Sequence, residues 1–292
     1  MTKVSDFSIE VPAKWVLTGE HSVLRGKRAL AFPHAALNLK LSYQNKKEFS
    51  ITANPFQSQI KSLVGRSLEY LKLPESAFHS GEIDIQSQIP IGAGLGSSAA
   101  LCVAIARLVL WKTQTDTEAW IPLATHLEDV FHGKSSGMDV NVIALGQPIE
   151  FSMDSKAKPL FDLERLPRFE LYDSGVRGHT RDCVEKVKHW QSQNLHLTSR
   201  YDEQMDSATD TAHRGLLEFQ RNPRLGEDLI AEAMNQAQNC FETWGLLTPE
   251  LIGQKHELLK QGALAVKLTG AGLGGFWVAL WRSASRALDK SN

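Results

Sequence analysis

Cysteine is scarce: Cys102, Cys183 and Cys240 in 292 residues are too few, odd in number and too far apart for a disulfide framework or a zinc site. A reducing, cytoplasmic setting is the expectation. Excess charge is lacking too, since 32 basic against 33 acidic side chains give no electrostatic reason to expect nucleic acid or an anionic membrane as partner. Any anionic ligand must be held locally. No stretch approaches the roughly eighteen uncharged apolar residues of a membrane span, and the amino-terminal "MTKVSDFSIEVPAKW" has no apolar core of signal-peptide length. Repeats of solenoid period and low-complexity tracts are absent as well. The chain is long enough for one large domain or two ordinary ones with a sizeable core.

The most unusual stretch present is "IPIGAGLGSSAALCVAIARL", residues 89–108, which sets three glycines and two serines in seven positions before an apolar run. Between residues 97 and 111 only Arg107 is charged, so the run reads as a buried helix. Upstream, "FSIEVPAKWVLTGE", "ALNLKLSYQ" and "GEIDIQSQI" read as strands and "FQSQIKSLVGRSLEYLKL" as an amphipathic helix. A second helix is expected from about Glu118 to Phe131. Prolines and charges in "GQPIEFSMDSKAKPLFDLERLPRFELYD" mark a boundary, which divides the chain into domains 1–155 and 156–292. Helical periodicity then dominates residues 181–261, with Pro223 and Pro249 suited to helix starts. "GALAVKLTGAGLGGFWVALW" returns to two strands around a glycine turn.

Glycines ahead of a helix let the main chain approach a ligand, and the helix start offers unpaired N–H groups with partial positive charge. Phosphate suits such a place, and the Ser97 and Ser98 hydroxyls can cap the helix, bond a phosphoryl oxygen or coordinate a metal ion. The P-loop pattern fails because residues 89–110 contain no lysine, and the dinucleotide fingerprint fails because Gly92, Gly94 and Gly96 are spaced GxGxG. The plainer reading is a turn that packs a helix on a strand. A cation could come from Lys14, set in an otherwise apolar strand, unless it merely lies on the wet face of an edge strand. In "HLEDVFHGKSSGMDVNV", Glu128 and Asp139 flank a tight turn and could converge. Phosphoryl transfer uses such parts: a metal ion, a carboxylate near the acceptor hydroxyl and a cation. Otherwise Glu128 is a solvated helix residue and Asp139 a helix N-cap.

Taken together, these segments resemble the GHMP small-molecule kinases and, among their branches, the mevalonate kinases. The resemblance rests on "VPAKWVLTGEHSVLRGKRALAFP", "PIGAGLGSSAA", "EDVFHGKSSGMD" and "KLTGAGLGGFWVAL", in family order and spread over most of the chain. It implies an α+β fold of two domains, the first like ribosomal protein S5 and the second ferredoxin-like, with the active site in the cleft between them. The implied cofactors are ATP and Mg2+, and the implied reaction is phosphorylation of the primary hydroxyl of mevalonate, a step toward isoprenoid precursors. A homodimer is compatible with it. Asp139 would take or orient the acceptor's proton beside Lys14, and the backbone of Gly92, Ala93, Gly94, Leu95, Gly96 and Ser97, with Ser98, would cradle the triphosphate. Ser98 and Glu128 match metal ligands, while Glu20, His21, Asp139 and Thr180 match the acceptor side. A structural His21 in a turn and Thr180 as a helix cap are the alternatives.

The chain departs from the family pattern at Ser135, where a proline is usual, at Val140, where an asparagine commonly follows the aspartate, and at Leu273, which interrupts the last glycine run. It stops soon after "WVALWRSASRALDKSN", so the second domain is expected to be shortened at its end. The same ATP apparatus would serve a sibling such as a phosphomevalonate kinase, whose phosphorylated acceptor calls for extra cations, with Arg25, Lys27, Arg177 and Arg181 as candidates. A nucleotide-binding protein without turnover is the remaining reading.

Overall fold

The structure, a computed structural model, describes residues 6–52, 56–115, 117–133 and 135–283. The expected shortening of the chain's end falls on residues 284–292, outside the described residues. The chain divides into two units, Met1–Trp15 with Ala31–Pro159, and Val16–Leu30 with Leu160–Asn292. The sequence reading places its boundary between residues 155 and 156, and the excursion of Val16–Leu30 into the second unit has no counterpart in it.

The first unit is built on a six-stranded sheet. Its path runs β3 (Phe49–Ile51), β4 (Gly81–Ser87), β2 (Ala29–Gln44), β5 (Ile149–Ser152) and β6 (Lys156–Pro159), with β1 (Phe7–Thr18) paired to β2. Strands β2 and β4 are antiparallel in the register Leu39 to Ser87 and Tyr43 to Ile83, and β3 lies parallel to β4. Burial alternates at the start of β1 and becomes continuous from Ala13, the pattern of a strand covered on both faces. Helices α1 (Gln57–Tyr70), α2 (Ser97–Thr113), α3 (Trp120–His132) and α4 (Met138–Leu145) complete the unit. Helix α2 buries Ala99, Cys102, Val103, Ile105, Val109 and others on all sides, and its mid-helix cation Arg107 stacks over Trp120 at 4.9 Å. Helix α4 escaped the sequence reading because it is only eight residues long and its two polar residues, Asp139 and Asn141, set up no amphipathic period.

The second unit pairs β7 (Arg168–Asp173), β9 (Phe276–Trp281) and β8 (Ala265–Thr269) in an antiparallel sheet, with Leu171 opposite Val278 and Lys267 opposite Val278 on the other side. Its helices are α5 (Thr180–Gln193), α6 (Leu195–Arg221), α7 (Pro223–Thr243) and α8 (Pro249–Lys260). Pro223 and Pro249 each open a helix behind a capping side chain: Asn222 accepts from the Leu225 N–H and Thr248 from the Leu251 N–H, both at 3.3 Å. Trp244, Trp277, Phe241 and Leu246 form the centre of this unit's core. No described helix is long and apolar enough to cross a membrane.

Candidate active site

In the first unit the glycine stretch is tied to β1, because the Lys14 N–H donates to the Leu95 carbonyl at 3.0 Å. Gly92, Gly94 and Gly96 all take positive φ, of 69°, 75° and 77°, so the chain winds through conformations that side chains resist and reaches α2 with Gly96 as its N-cap. Neither serine caps the helix; Ser97 and Ser98 are its first two residues, where N–H groups have no intrahelical partner. A Cβ on Gly92 would meet nothing within 4 Å, whereas one on Gly96 would lie 2.8 Å from Cγ of Lys14. The loop is open at one end and packed onto a lysine at the other, a cradle that fits a phosphate chain.

Lys14 is buried, 3% exposed, and does not lie on a wet strand face. Its Nζ stands 2.8 Å from Oδ2 of Asp139, a partly exposed carboxylate in the first turn of α4. Gly137, at φ 81°, holds the N-cap position, so Asp139 is not the cap. Glu128, near the end of α3, is 1% exposed rather than solvated. Burial and the neighbouring Asp139 charge push its carboxyl up to about 8, while the Ser135 hydroxyl bond and the Lys14 charge pull it back. Ser135 donates that bond from its hydroxyl, and its N–H donates to Asp129 Oδ1 at 2.7 Å, a bond a proline could not make.

The Ser98 hydroxyl and the buried Glu128 carboxylate, which its surroundings disfavour as an anion, are the hard oxygen donors a divalent cation takes. Among the described residues no group of three or more His, Cys, Asp and Glu could hold a metal ion by itself. The donor set therefore suits an ion whose remaining ligands are phosphate oxygens and water.

Glu20, His21 and Thr180 belong to the second unit. Glu20 forms a buried ion pair with Lys267, which also donates to the Leu268 carbonyl at 2.6 Å and lies over the Phe241 ring at 4.6 Å. His21 is bound through Nε2 to the Ala271 carbonyl at 2.8 Å, and desolvation lowers its pKa to about 4, so the ring is neutral. Thr180 is the exposed first residue of α5, with His179 at the N-cap. Leu273 takes φ 55° in the last glycine run, where its N–H donates to the Leu246 carbonyl at 2.8 Å. Lys267 escaped the sequence reading although it carries the signal that singled out Lys14: one lysine inside an apolar strand, here "AVKLT".

A loop for an anionic tail joined to a paired ammonium and carboxylate is suited to activating an alcohol toward a phosphoryl group. Residues 62–147 match the family model described as "GHMP kinases N terminal domain" and residues 224–290 match "GHMP kinases C terminal". The chain belongs to the GHMP kinases, ATP-dependent phosphotransferases acting on small molecules, which work with a divalent metal ion. Within that class it is similar to the mevalonate kinase of Pyrococcus horikoshii, 32% identical over 92% of this chain and 87% of the relative. The Archaeoglobus fulgidus mevalonate kinase is 30% identical over 93% and 91% of the two chains. The fold is similar to that of the Methanococcus jannaschii mevalonate kinase, with a TM-score of 0.75 at 20% identity over 96% and 92% of the two chains.

Proposed function

We propose that this protein transfers the terminal phosphoryl group of MgATP to the primary hydroxyl of mevalonate, giving 5-phosphomevalonate for isoprenoid precursor synthesis. The observation that carries the chemistry is the Lys14–Asp139 pair at 2.8 Å, its lysine on a strand hydrogen-bonded to the glycine loop. With Oδ2 of Asp139 engaged by Lys14, Oδ1 accepts the hydroxyl proton, and the ammonium stabilises the alkoxide charge as it develops. The amides of residues 92–97 hold the phosphate tail, together with Ser98. Ser98 and Glu128 would hold the Mg2+ ion, which when bound neutralises phosphate charge. On the family resemblance, Glu20, His21, Asp139 and Thr180 are assigned to acceptor binding.

Two of the four cations that a phosphorylated acceptor would call on are taken up by carboxylates, which supports mevalonate. Arg25 is engaged by Asp202, and Arg177 is forked onto Asp173 at 2.6 and 2.7 Å. Three buried free cysteines suit a reducing cytoplasm. The test is ADP release with ATP, Mg2+ and a panel of mevalonate, phosphomevalonate and sugars. Turnover on mevalonate alone is expected; turnover on phosphomevalonate alone would move the protein to the sibling activity, and nucleotide binding without turnover on any acceptor would make it a non-catalytic member.

A further inference from the structure

The segment around His21 is held in a conformation that its own residues do not favour. His21 has φ 62° and ψ −47°, and the Ser22 N–H donates across it to the Glu20 carbonyl at 2.7 Å, which makes a γ-turn of the rare, strained hand. Such an outlier persists only where its surroundings over-determine it. Here they do so from several directions, all within the second unit. Arg25 closes the turn by donating from Nη1 to the His21 carbonyl at 2.9 Å, while its Nε donates to Oδ2 of Asp202 at 2.6 Å and its Nη2 to Oδ1. Asp202 is a buried residue of α6, the helix from which Met205 Sδ also accepts the Gly19 N–H at 3.3 Å.

The ring is fixed as firmly as the turn. Phe241 and Trp244 meet it edge-on, with centroids 5.8 and 5.6 Å away. The Ala271 carbonyl can only accept, so the proton of the neutral ring sits on Nε2. Nδ1 is left with a lone pair, and a lone pair binds a hydroxyl and repels a carboxylate.

We propose that Arg25 and Asp202 are positioning residues for the acceptor: their ion pair locks the strained His21 turn so that Nδ1 receives a hydrogen bond from a hydroxyl of the acceptor, and not from its carboxylate end. The proposal rests on the reading of His21 as an acceptor contact. The Arg25–Asp202 fork replaces flexibility at that contact with a fixed direction, the geometry a site needs if it is to select a hydroxyl.

The test uses the full chain and the variants Arg25→Gln, Arg25→Lys, Asp202→Asn and His21→Ala, with KM and kcat measured for mevalonate and for ATP. Loss of one aimed hydrogen bond predicts a KM for mevalonate raised about tenfold in Arg25→Gln and Asp202→Asn. The KM for ATP should not change, and Arg25→Lys, which keeps the charge, should fall between. Nitrogen-15 spectra of the His21 ring should show the Nε2-protonated neutral form in the wild type and a mixture of tautomers in Arg25→Gln. An Nδ1-protonated ring in the wild type overturns the proposal, as does a lowered Tm with the mevalonate KM unmoved while His21→Ala still raises it. If His21→Ala also leaves that KM unmoved, or the wild type turns over no mevalonate, the underlying reading fails and the proposal with it.

Discussion

Gly92 and Gly96 lie in one loop at nearly the same positive φ, yet alanine should affect them differently. Placing a side chain at φ 69° or 77° costs about 1–2 kcal/mol at either position, and that cost is common to both. What differs is the space around the new methyl group. At Gly92 nothing stands within 4 Å, but at Gly96 the Cβ would be 2.8 Å from Lys14 Cγ and 3.1 Å from both Lys14 Cε and Ile143 Cδ1. The closest approach is 0.6 Å short of the 3.4 Å at which ordinary contact begins. Lys14 cannot retreat as a whole, because its N–H is bonded to Leu95, so its stem must bend and carry Nζ away from Asp139. Misplacing a reacting group by about 1 Å can cost ~100-fold in rate. We expect kcat of Gly96→Ala to fall at least ~10-fold below that of Gly92→Ala, about 1.4 kcal/mol of additional barrier. Coupled ADP release at saturating ATP and mevalonate measures it, and thermal unfolding checks that both variants fold. Equal kcat values would refute the argument that Gly96 exists to make room for Lys14.

Other perturbations follow from the same geometry. Asp139→Asn should lower turnover by about 10²–10⁴-fold, with ATP affinity by calorimetry unchanged; near-normal turnover would remove Asp139 from proton transfer. Lys267→Met removes the ion partner of the buried Glu20 carboxylate, 5% exposed, and breaking such a pair should reduce stability to denaturant by roughly 3–5 kcal/mol. A variant as stable as the wild type would show that the pair carries no such burden. His21 supplies a pH dependence with a definite sign. Its folded pKa, about 4, lies below the ordinary 6.5, so above pH 6.5 neither state binds the proton, and below it the unfolded chain binds first. Stability is therefore lost as pH falls from 6.5 toward 4, by about 1.4 kcal/mol at pH 5.5 and roughly 3 kcal/mol in full. His21→Asn should lose this component, visible as a shallower fall of Tm between those pH values; parallel curves would contradict the assignment.

Periodicity and punctuation placed most elements. An almost uncharged run could only be a buried α2, and Pro223 and Pro249 opened helices because a residue without an N–H fits the first turn. The glycine spacing marked the loop, since φ values near 70° demand that residue, and lysine inside an apolar strand marked Lys14. Those features are local: they depend on what each residue type can do with its own backbone and its nearest neighbours. The tertiary structure decided what distance in sequence hides. Lys14 and Asp139 are far apart along the chain, and only packing of β1, α2 and α4 brings an ammonium within 2.8 Å of a carboxylate. The same holds for Glu20 with Lys267, for Arg25 with Asp202, and for the passage of Val16–Leu30 into the second unit. An ion pair is a matter of ångströms, and a sequence records order, so the partners of these charges were fixed only when the chain folded.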